Sequence, residues 1–348
     1  MKDNKEKSNV KKIIKNSIVF VVLIILTYIF IFRKIDRKGL HDALSHTNIW
    51  FVLIAALVSS LNIICESINH YRNLKLLNED TNFWKCLKYG IVGFFFSAIT
   101  PAATGGQPVQ IIYMHKDGIS YTHATIVILI QSFTYLATMI FLGIFGYIVN
   151  FHHISHLGFL EYFFFIGVLA NSLITAFIII AMFSQSLSQK ILNFVHKIIS
   201  KFNEEKANSI KEKMEVQLKE YHDTAKFILS NKKVLVKTFI TNIFQLVGYH
   251  STAFFIFLAL GVGSLSYIKI ASLQSFLYLS VSILPLPGTV GVNETGFSLL
   301  YKNMIPQNIV DSSMLLTRGV SFYLYVIITG IILLIIAIKK NKKTKSSN

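Results

Sequence analysis

Apolar runs of bilayer-spanning length recur along this chain. Residues 17–32, 49–69, 119–149, 161–183, 234–261 and 312–338 each read as one membrane-crossing helix, against the ~20 residues such a helix needs. Two further apolar segments, 87–114 and 265–301, are interrupted instead of continuous. The first breaks at Thr100-Pro-Ala-Ala-Thr-Gly-Gly-Gln-Pro108 and the second at Pro285-Leu-Pro-Gly-Thr-Val-Gly-Val-Asn-Glu294. Each half of 87–114 is about 14 residues long, too short to cross alone, so the pair predicts a re-entrant hairpin. In lipid every backbone N–H and C=O must be satisfied internally, and a broken helix survives only where protein or a polar cavity covers it. A carboxylate at such a place costs a further ~2.5–3.5 kcal/mol. Glu294 is therefore expected to face the protein interior, a partner or a substrate.

The two breaks echo each other. Aligning Pro101 with Pro287 also aligns Gly105 with Gly291 and Gln107 with Asn293 without a gap, and four of the five prolines fall in these two windows. Kinks of purely packing origin are the plainer account; paired broken segments at corresponding points of two halves are also the mark of a transporter's substrate site. The expected fold is all-α and polytopic, with about six full transmembrane helices and two re-entrant hairpins. Residues 17–149 form one repeat and 159–338 a second, inverted one.

Composition places the chain in a membrane: 53% of residues are hydrophobic and 15% charged. The net charge of +17 is concentrated in residues 1–16, in the insertion 184–233 and in the tail 339–348. That pattern fits an anionic membrane surface, and no nucleic-acid motif competes with it. With both hairpins re-entrant, the lysine-rich segments and both termini share one side, which the positive-inside rule makes cytoplasmic. The loop 151–158, free of Lys and Arg, falls on the other side; Arg33, Lys34, Arg37 and Lys38 run against the rule. The basic start followed by residues 17–32 lacks a small-residue cleavage site and reads as an uncleaved anchor. Within 184–233, Ile191, Phe194, Val195, Ile198, Ile199 and Phe202 recur at helical spacing among lysines, predicting an amphipathic surface helix. Met214, Leu218, Tyr221, Ala225 and Ile228 predict a second helix packed on it. Glu66 stands close to His70 and Arg72 and reads as an interfacial ion-pairing residue. Cys65 and Cys86 suggest neither a disulfide framework nor a metal cluster, and His152 with His156 lacks further ligands. No catalytic residue, cofactor or metal is assigned.

The residues Thr100 to Ser120, Leu284 to Gly296 and the span running on from Arg318 resemble the membrane-embedded region of lysylphosphatidylglycerol synthases and the related stand-alone flippase-like proteins of bacteria. The second motif is similar to that family's Pro-Gly-Gly-x-Gly-x-x-Glu, with Thr289 at the second glycine and Glu294 at the acid. The first departs from it, having Gln107 and Gln110 where many relatives carry Glu and Arg. The resemblance covers nearly the whole chain but not the soluble aminoacyl-transferase domain of full-length members. It implies a bacterial plasma-membrane protein that translocates an aminoacylated or otherwise modified phospholipid. On that reading Thr104, Gly105, Gly106 and Gln107, with Gln110, and Pro287, Gly288, Gly291 and Asn293 surround a lipid phosphate through backbone N–H groups and a half-helix N-terminus. Arg318 binds phosphate and Glu294 receives a cationic headgroup, unless the two simply form a salt bridge with each other.

Three function classes stay open. One is a lipid flippase; another is a membrane component of phosphatidylglycerol lysyltransferase activity, needing a separate synthase and tied to cationic-peptide resistance; the third is a non-transporting membrane partner. A phospholipid substrate, a separate lipid synthase or a second copy of the chain are the expected partners. The absence of a nucleophile–base constellation speaks against an autonomous enzyme.

Overall fold

A computed structural model describes residues 45–200 and 204–346. The predicted anchor 17–32 and the basic segment 1–16 lie outside the described residues. Five described helices are long and apolar enough to cross a membrane: Ile49–Leu76 (α1), Tyr121–Val149 (α4), Phe159–Phe183 (α5), Lys232–Ala259 (α8), and the run Gln307–Ile338. That last run comprises helices Gln307–Arg318 (α11) and Leu324–Ser346 (α12), joined by a π-helical turn at Gly319–Tyr323. It starts earlier than the hydropathy suggests, directly after Pro306 at its N-cap. The fold is all-α and polytopic. Polar side chains set several starts: Asn48, Asn82, Ser120 and Ser266 each accept a first-turn N–H.

Both interrupted segments are helix–break–helix units. Phe83–Ala98 (α2) meets Gly106–Lys116 (α3) across a 3-10 turn at Pro101–Ala103. Tyr267–Val281 (α9) meets Val292–Tyr301 (α10) across another at Pro287–Thr289. In each unit the arms fold back against one another and are tied at the base. Tyr89 Oη donates to Asp117 Oδ2 at 2.7 Å while Lys88 pairs with the same oxygen; Gln274 donates to Tyr301 Oη at 3.1 Å.

One spacing relates the two units. The turns begin at Pro101 and Pro287, the second arms at Gly106 and Val292, and the following spans at Tyr121 and Gln307, in every case 186 positions apart (287 − 101). Backbone conformation follows the same register. Ala102 and Ala103 have φ of 50° and 54°, and Gly288 and Thr289 have φ of 58° and 52°. Left-handed pairs therefore stand at matching points of both tips, and three of the four residues are not glycine. Strain of ~1–2 kcal/mol per such residue persists only where the surroundings hold it.

Around these units the spans form a polar-seamed frame. Helices α1 and α8 run antiparallel along a ladder of side-chain bonds: Ser59 with Thr252 (2.6 Å), Asn62 with Gln245 (3.0 Å), Asn69 with Asn242 (2.8 Å) and Arg72 with Thr241 (3.1 Å). Helix α9 is wedged between α4 and α5. A methyl group added at Gly146 would strike the Ser272 carbonyl, and one at Gly167 would strike that of Leu279, so small residues let the backbones approach. Phe164, Phe257, Phe276, Phe297 and Tyr301 fill the core between them, while Leu57, Phe145, Leu169, Phe177 and Leu334 stay exposed as a lipid-facing surface would require.

The insertion is the helix pair Gln185–Ser200 (α6) and Glu204–Ser230 (α7), packed on each other as the apolar spacing predicts. Beyond that expectation, Ala225 and Ile228 of α7 are buried against Ile126 and Ile130 of α4. His123 near the start of α4 meets Glu79 at 2.5 Å and Glu220 of α7 at 3.8 Å. The segment after α1 and the insertion thus sit at the same end of the bundle.

Candidate functional site

The two 3-10 turns touch each other. Ala98 and Ile99 ahead of the first turn and Val290 after the second form a small buried cluster with Phe322. The first tip presents its polar groups outward: Thr104 and Gln107 are exposed. Thr104 Oγ1 donates to the Pro101 carbonyl at 2.9 Å, and Gly105 N–H donates to Thr100 Oγ1 at 2.9 Å. Helix α3 then begins without a side-chain cap, leaving a helix N-terminus of the kind that attracts anions. Gly106 is buried, and a Cβ there would lie 2.7 Å from the Gly93 carbonyl. That glycine exists for the close passage of α3 over α2.

At the second tip the acid and the arginine find each other. Arg318 Nε donates to Glu294 Oε1 at 2.9 Å and its terminal nitrogen donates to the Gly288 carbonyl at 2.8 Å. Tyr323 Oη donates to the same carboxylate oxygen at 3.1 Å, and Gly291 N–H donates to Oε2 at 2.6 Å. The last contact is the carboxylate half of a capping box, in which a residue in the first turn reaches back to the N-cap N–H. Gly291, with φ 90°, takes that N-cap place. The guanidinium also lies over the rings of Phe322 (4.4 Å to the centroid) and Tyr323 (5.7 Å), a cation–π arrangement. Both charged side chains are buried, Glu294 at 2% and Arg318 at 5% exposure. Of the two readings that the sequence left open for this pair, the structure contains the mutual salt bridge.

The π-helical turn makes this possible. Its wider winding follows directly on Arg318 and brings Tyr323 back to the carboxylate; such turns often occur at functional sites. Neither the turn nor Tyr323 is marked in the sequence beyond Gly319, a poor helix former.

The other residues expected at the site divide. Asn293 lines a cavity beside Arg318, together with His250, Gln274 and Thr317, which sequence reasoning passed over. Gln107 donates to Ser132 Oγ of α4 at 2.8 Å. Gln110 is turned away from the tip. It is buried, and its amide donates to Glu66 Oε1 at 2.6 Å and to the Tyr89 carbonyl at 3.1 Å. Glu66 in turn meets His70 at 3.3 Å, whereas Arg72 bonds Asn69 and Thr241 instead. A second polar centre on α1 thus lies behind the first hairpin. Thr289 stands where the resembling family has glycine, and its φ of 52° supplies the reason for that preference.

Comparison with known proteins extends over most of the chain. A UPF0104 membrane protein of Pyrococcus horikoshii is 25% identical over 332 residues, covering 93% of this chain and 95% of that protein. Another, from Archaeoglobus fulgidus, is 22% identical over 302 residues, covering 84% and 88%. Both relatives are archaeal, so they do not carry the bacterial setting that the resemblance implied. The family model described as the lysylphosphatidylglycerol synthase TM region matches residues 15–329, and this chain belongs to that family.

Proposed function

We propose that this protein moves a phospholipid between the leaflets of a cell membrane, with the headgroup passing where the two hairpin tips meet. The observation that carries the reading is that meeting: two helix–break–helix units of matching register bring their strained turns together inside a frame of spanning helices. Non-helical backbone at membrane depth is tolerated where it is covered by protein or lines a polar path, and paired broken helices mark substrate sites in secondary transporters.

In this reading the first tip, where Thr104 and Gln107 are exposed, meets the lipid phosphate at the uncapped start of α3. The Arg318–Glu294 pair holds the second tip in place, and Asn293 faces the headgroup. The two repeats have opposite orientation, and the lysine-rich insertion and both termini lie in the cytoplasm. The test is reconstitution in liposomes carrying a fluorescent phospholipid, with an impermeant quencher added outside, under imposed proton or sodium gradients. The quenched fraction is expected to exceed that of protein-free vesicles. Folded protein that leaves it unchanged under every gradient removes the reading.

The family description favours one second reading, in which the chain is the membrane component of lysylphosphatidylglycerol synthesis and a separate synthase supplies the aminoacyl transfer. That role would link it to resistance against cationic peptides. Loss of aminoacylated phosphatidylglycerol from total lipid extracts on deleting the chain, and not only from the outer leaflet, would support it over translocation.

A further inference from the structure

Glu66 and Glu294 are both acids set within the bundle, and their surroundings differ. Glu294 is held as an anion by Arg318 and two further donors. Glu66 has no Lys or Arg at ion-pair distance among the described residues; its titratable partner is His70, at 3.3 Å. At the ~1.5 Å rise per helical residue the acid stands on the order of 15 Å from the Leu76 end of α1. Ionisable side chains at such depth mark ion pathways and proton relays.

The two carboxylate oxygens are used unequally. Oε1 accepts from the Gln110 amide at 2.6 Å. The second hydrogen of that amide goes to the Tyr89 carbonyl at 3.1 Å, so the 3.4 Å approach of Gln110 to His70 Nε2 carries no bond. His70 Nε2 donates to Glu66 instead. No bond reaches Oε2 among the described residues, and the Glu66 side chain is 21% exposed. Toward the Leu76 end the same face of α1 continues through His70, four positions on, and Asn73, three further. His70 Nδ1 and both polar atoms of the Asn73 side chain are buried without a protein partner. An imidazole bonded through one nitrogen and unmatched at the other is suited to pass a proton on.

The charges on elements packed around α1 are committed elsewhere. Arg72 bonds Asn69 and Thr241; Lys88 of α2 pairs with Asp117, which also takes the Tyr89 hydroxyl. Arg318 and Tyr323, at the π-helical turn, close on Glu294. Helix α8 brings the neutral Asn242 and Gln245, and α4 brings Tyr135, bonded to Tyr278. Nothing therefore pins the Glu66 charge. The site also has a mechanical link, because Gln110 lies on α3 one turn past the first tip. The frame helix thus holds a hairpin arm by a charge-assisted bond, and adding a proton to the carboxylate weakens that hold.

We propose that Glu66, relayed by His70, is a proton-exchange site whose loading and unloading drives movement of the first hairpin. One proton joins Oε2 from one aqueous phase and leaves to the other, and the bonds of the lipid are untouched. The coupling to lipid rests on the translocation reading; the proton site does not. Glu66 meets N–H donors rather than the unwound carbonyls that gather around sodium, which favours the proton.

The test has two arms, both on the full chain. In nanodiscs, the infrared difference between alkaline and acid pH should contain a protonated-carboxyl band that is lost in Glu66→Gln and displaced in Glu66→Asp. In phosphatidylcholine liposomes carrying fluorescent phosphatidylglycerol and an impermeant outer quencher, the leaflet distribution should follow the sign of an imposed pH difference. For one proton per lipid, each unit of that difference sustains up to about tenfold asymmetry. Glu66→Gln should lose this response and Glu66→Asp should keep part of it. A band unchanged in Glu66→Gln of parental melting temperature, or in Glu66→Asp where the glutamine variant does not fold, overturns the proposal. So does lipid movement by the parent that ignores the pH difference or follows a sodium gradient instead. A titrating Glu66 in protein that moves no lipid supports the proton site and removes the translocation reading alone.

Discussion

Replacing Glu294 by glutamine tests whether the second tip is held by charge. The carboxylate accepts from three donors: Arg318 Nε, Tyr323 Oη and Gly291 N–H. Two approach Oε1 and the third approaches Oε2, so either orientation of an amide sets its NH₂ against at least one of them. The substitution also leaves Arg318, 5% exposed, without its counter-charge. Removing one partner of a buried pair costs ~3–5 kcal/mol, a large part of the ~5–15 kcal/mol that holds a typical domain together. Glu294→Gln is thus expected to lower both membrane abundance and the melting midpoint, read by heating a fluorescent fusion in detergent and following its monodisperse peak. Arg318→Gln should also destabilise. The double variant should be more stable than the sum of the two losses predicts, by a coupling of ~1–3 kcal/mol. A Glu294→Gln protein that melts with the parent, or strictly additive losses in the double variant, would refute the argument that the pair locks the hairpin to α11.

Three other outcomes follow from the geometry. Thr289→Gly and Ala103→Gly relieve left-handed strain of ~1–2 kcal/mol against a gain of ~0.4–1 kcal/mol in unfolded-chain freedom; each should leave thermal stability unchanged or raise it by up to ~1.5 kcal/mol, and a clear loss would count against the tip conformation. Gly106→Leu places its Cβ against the Gly93 carbonyl and should separate α3 from α2, seen as a lowered melting midpoint, whereas Thr104→Leu on the exposed side of the tip should not. Cysteine at Ser155 should react with an impermeant thiol reagent outside intact cells while cysteine at Ser209 stays unlabelled; the reverse pattern would invert the proposed orientation.

Much of the architecture was legible because lipid leaves few options. Without water in the hydrocarbon, a spanning helix must be long and apolar, and a break must be covered. The five described spans and both helix–break–helix units therefore stand close to where hydropathy put them. The common register of the two breaks was legible at Pro101 and Pro287 for a local reason, since a proline opens each tight turn. What stayed hidden depends on contacts between distant segments. Gln110 lies one helical turn beyond the first tip in sequence, yet its side chain reaches across to Glu66 on α1. Tyr323 meets Glu294 only because a π-helical turn intervenes. His250 and Thr317 carry no periodic signature, and only packing shows that their polar atoms go unmatched. Ala225 and Ile228 read as part of a face packed on the other helix of the insertion, yet they are buried against Ile126 and Ile130 of α4.

The ladder between α1 and α8 limits how such a molecule can move. Its four rungs are spread from Ser59–Thr252 at one end to Arg72–Thr241 at the other. Sliding one helix past the other by a single turn, ~5.4 Å, would part them all at once and leave their polar groups facing apolar surroundings. Tilting about the ladder, by contrast, can keep the middle rungs closed. The pair therefore behaves as an axle and not as a piston. On the translocation proposed above, an exchange between inward- and outward-facing forms would then fall to the hairpins on either side of this pair rather than to sliding along it.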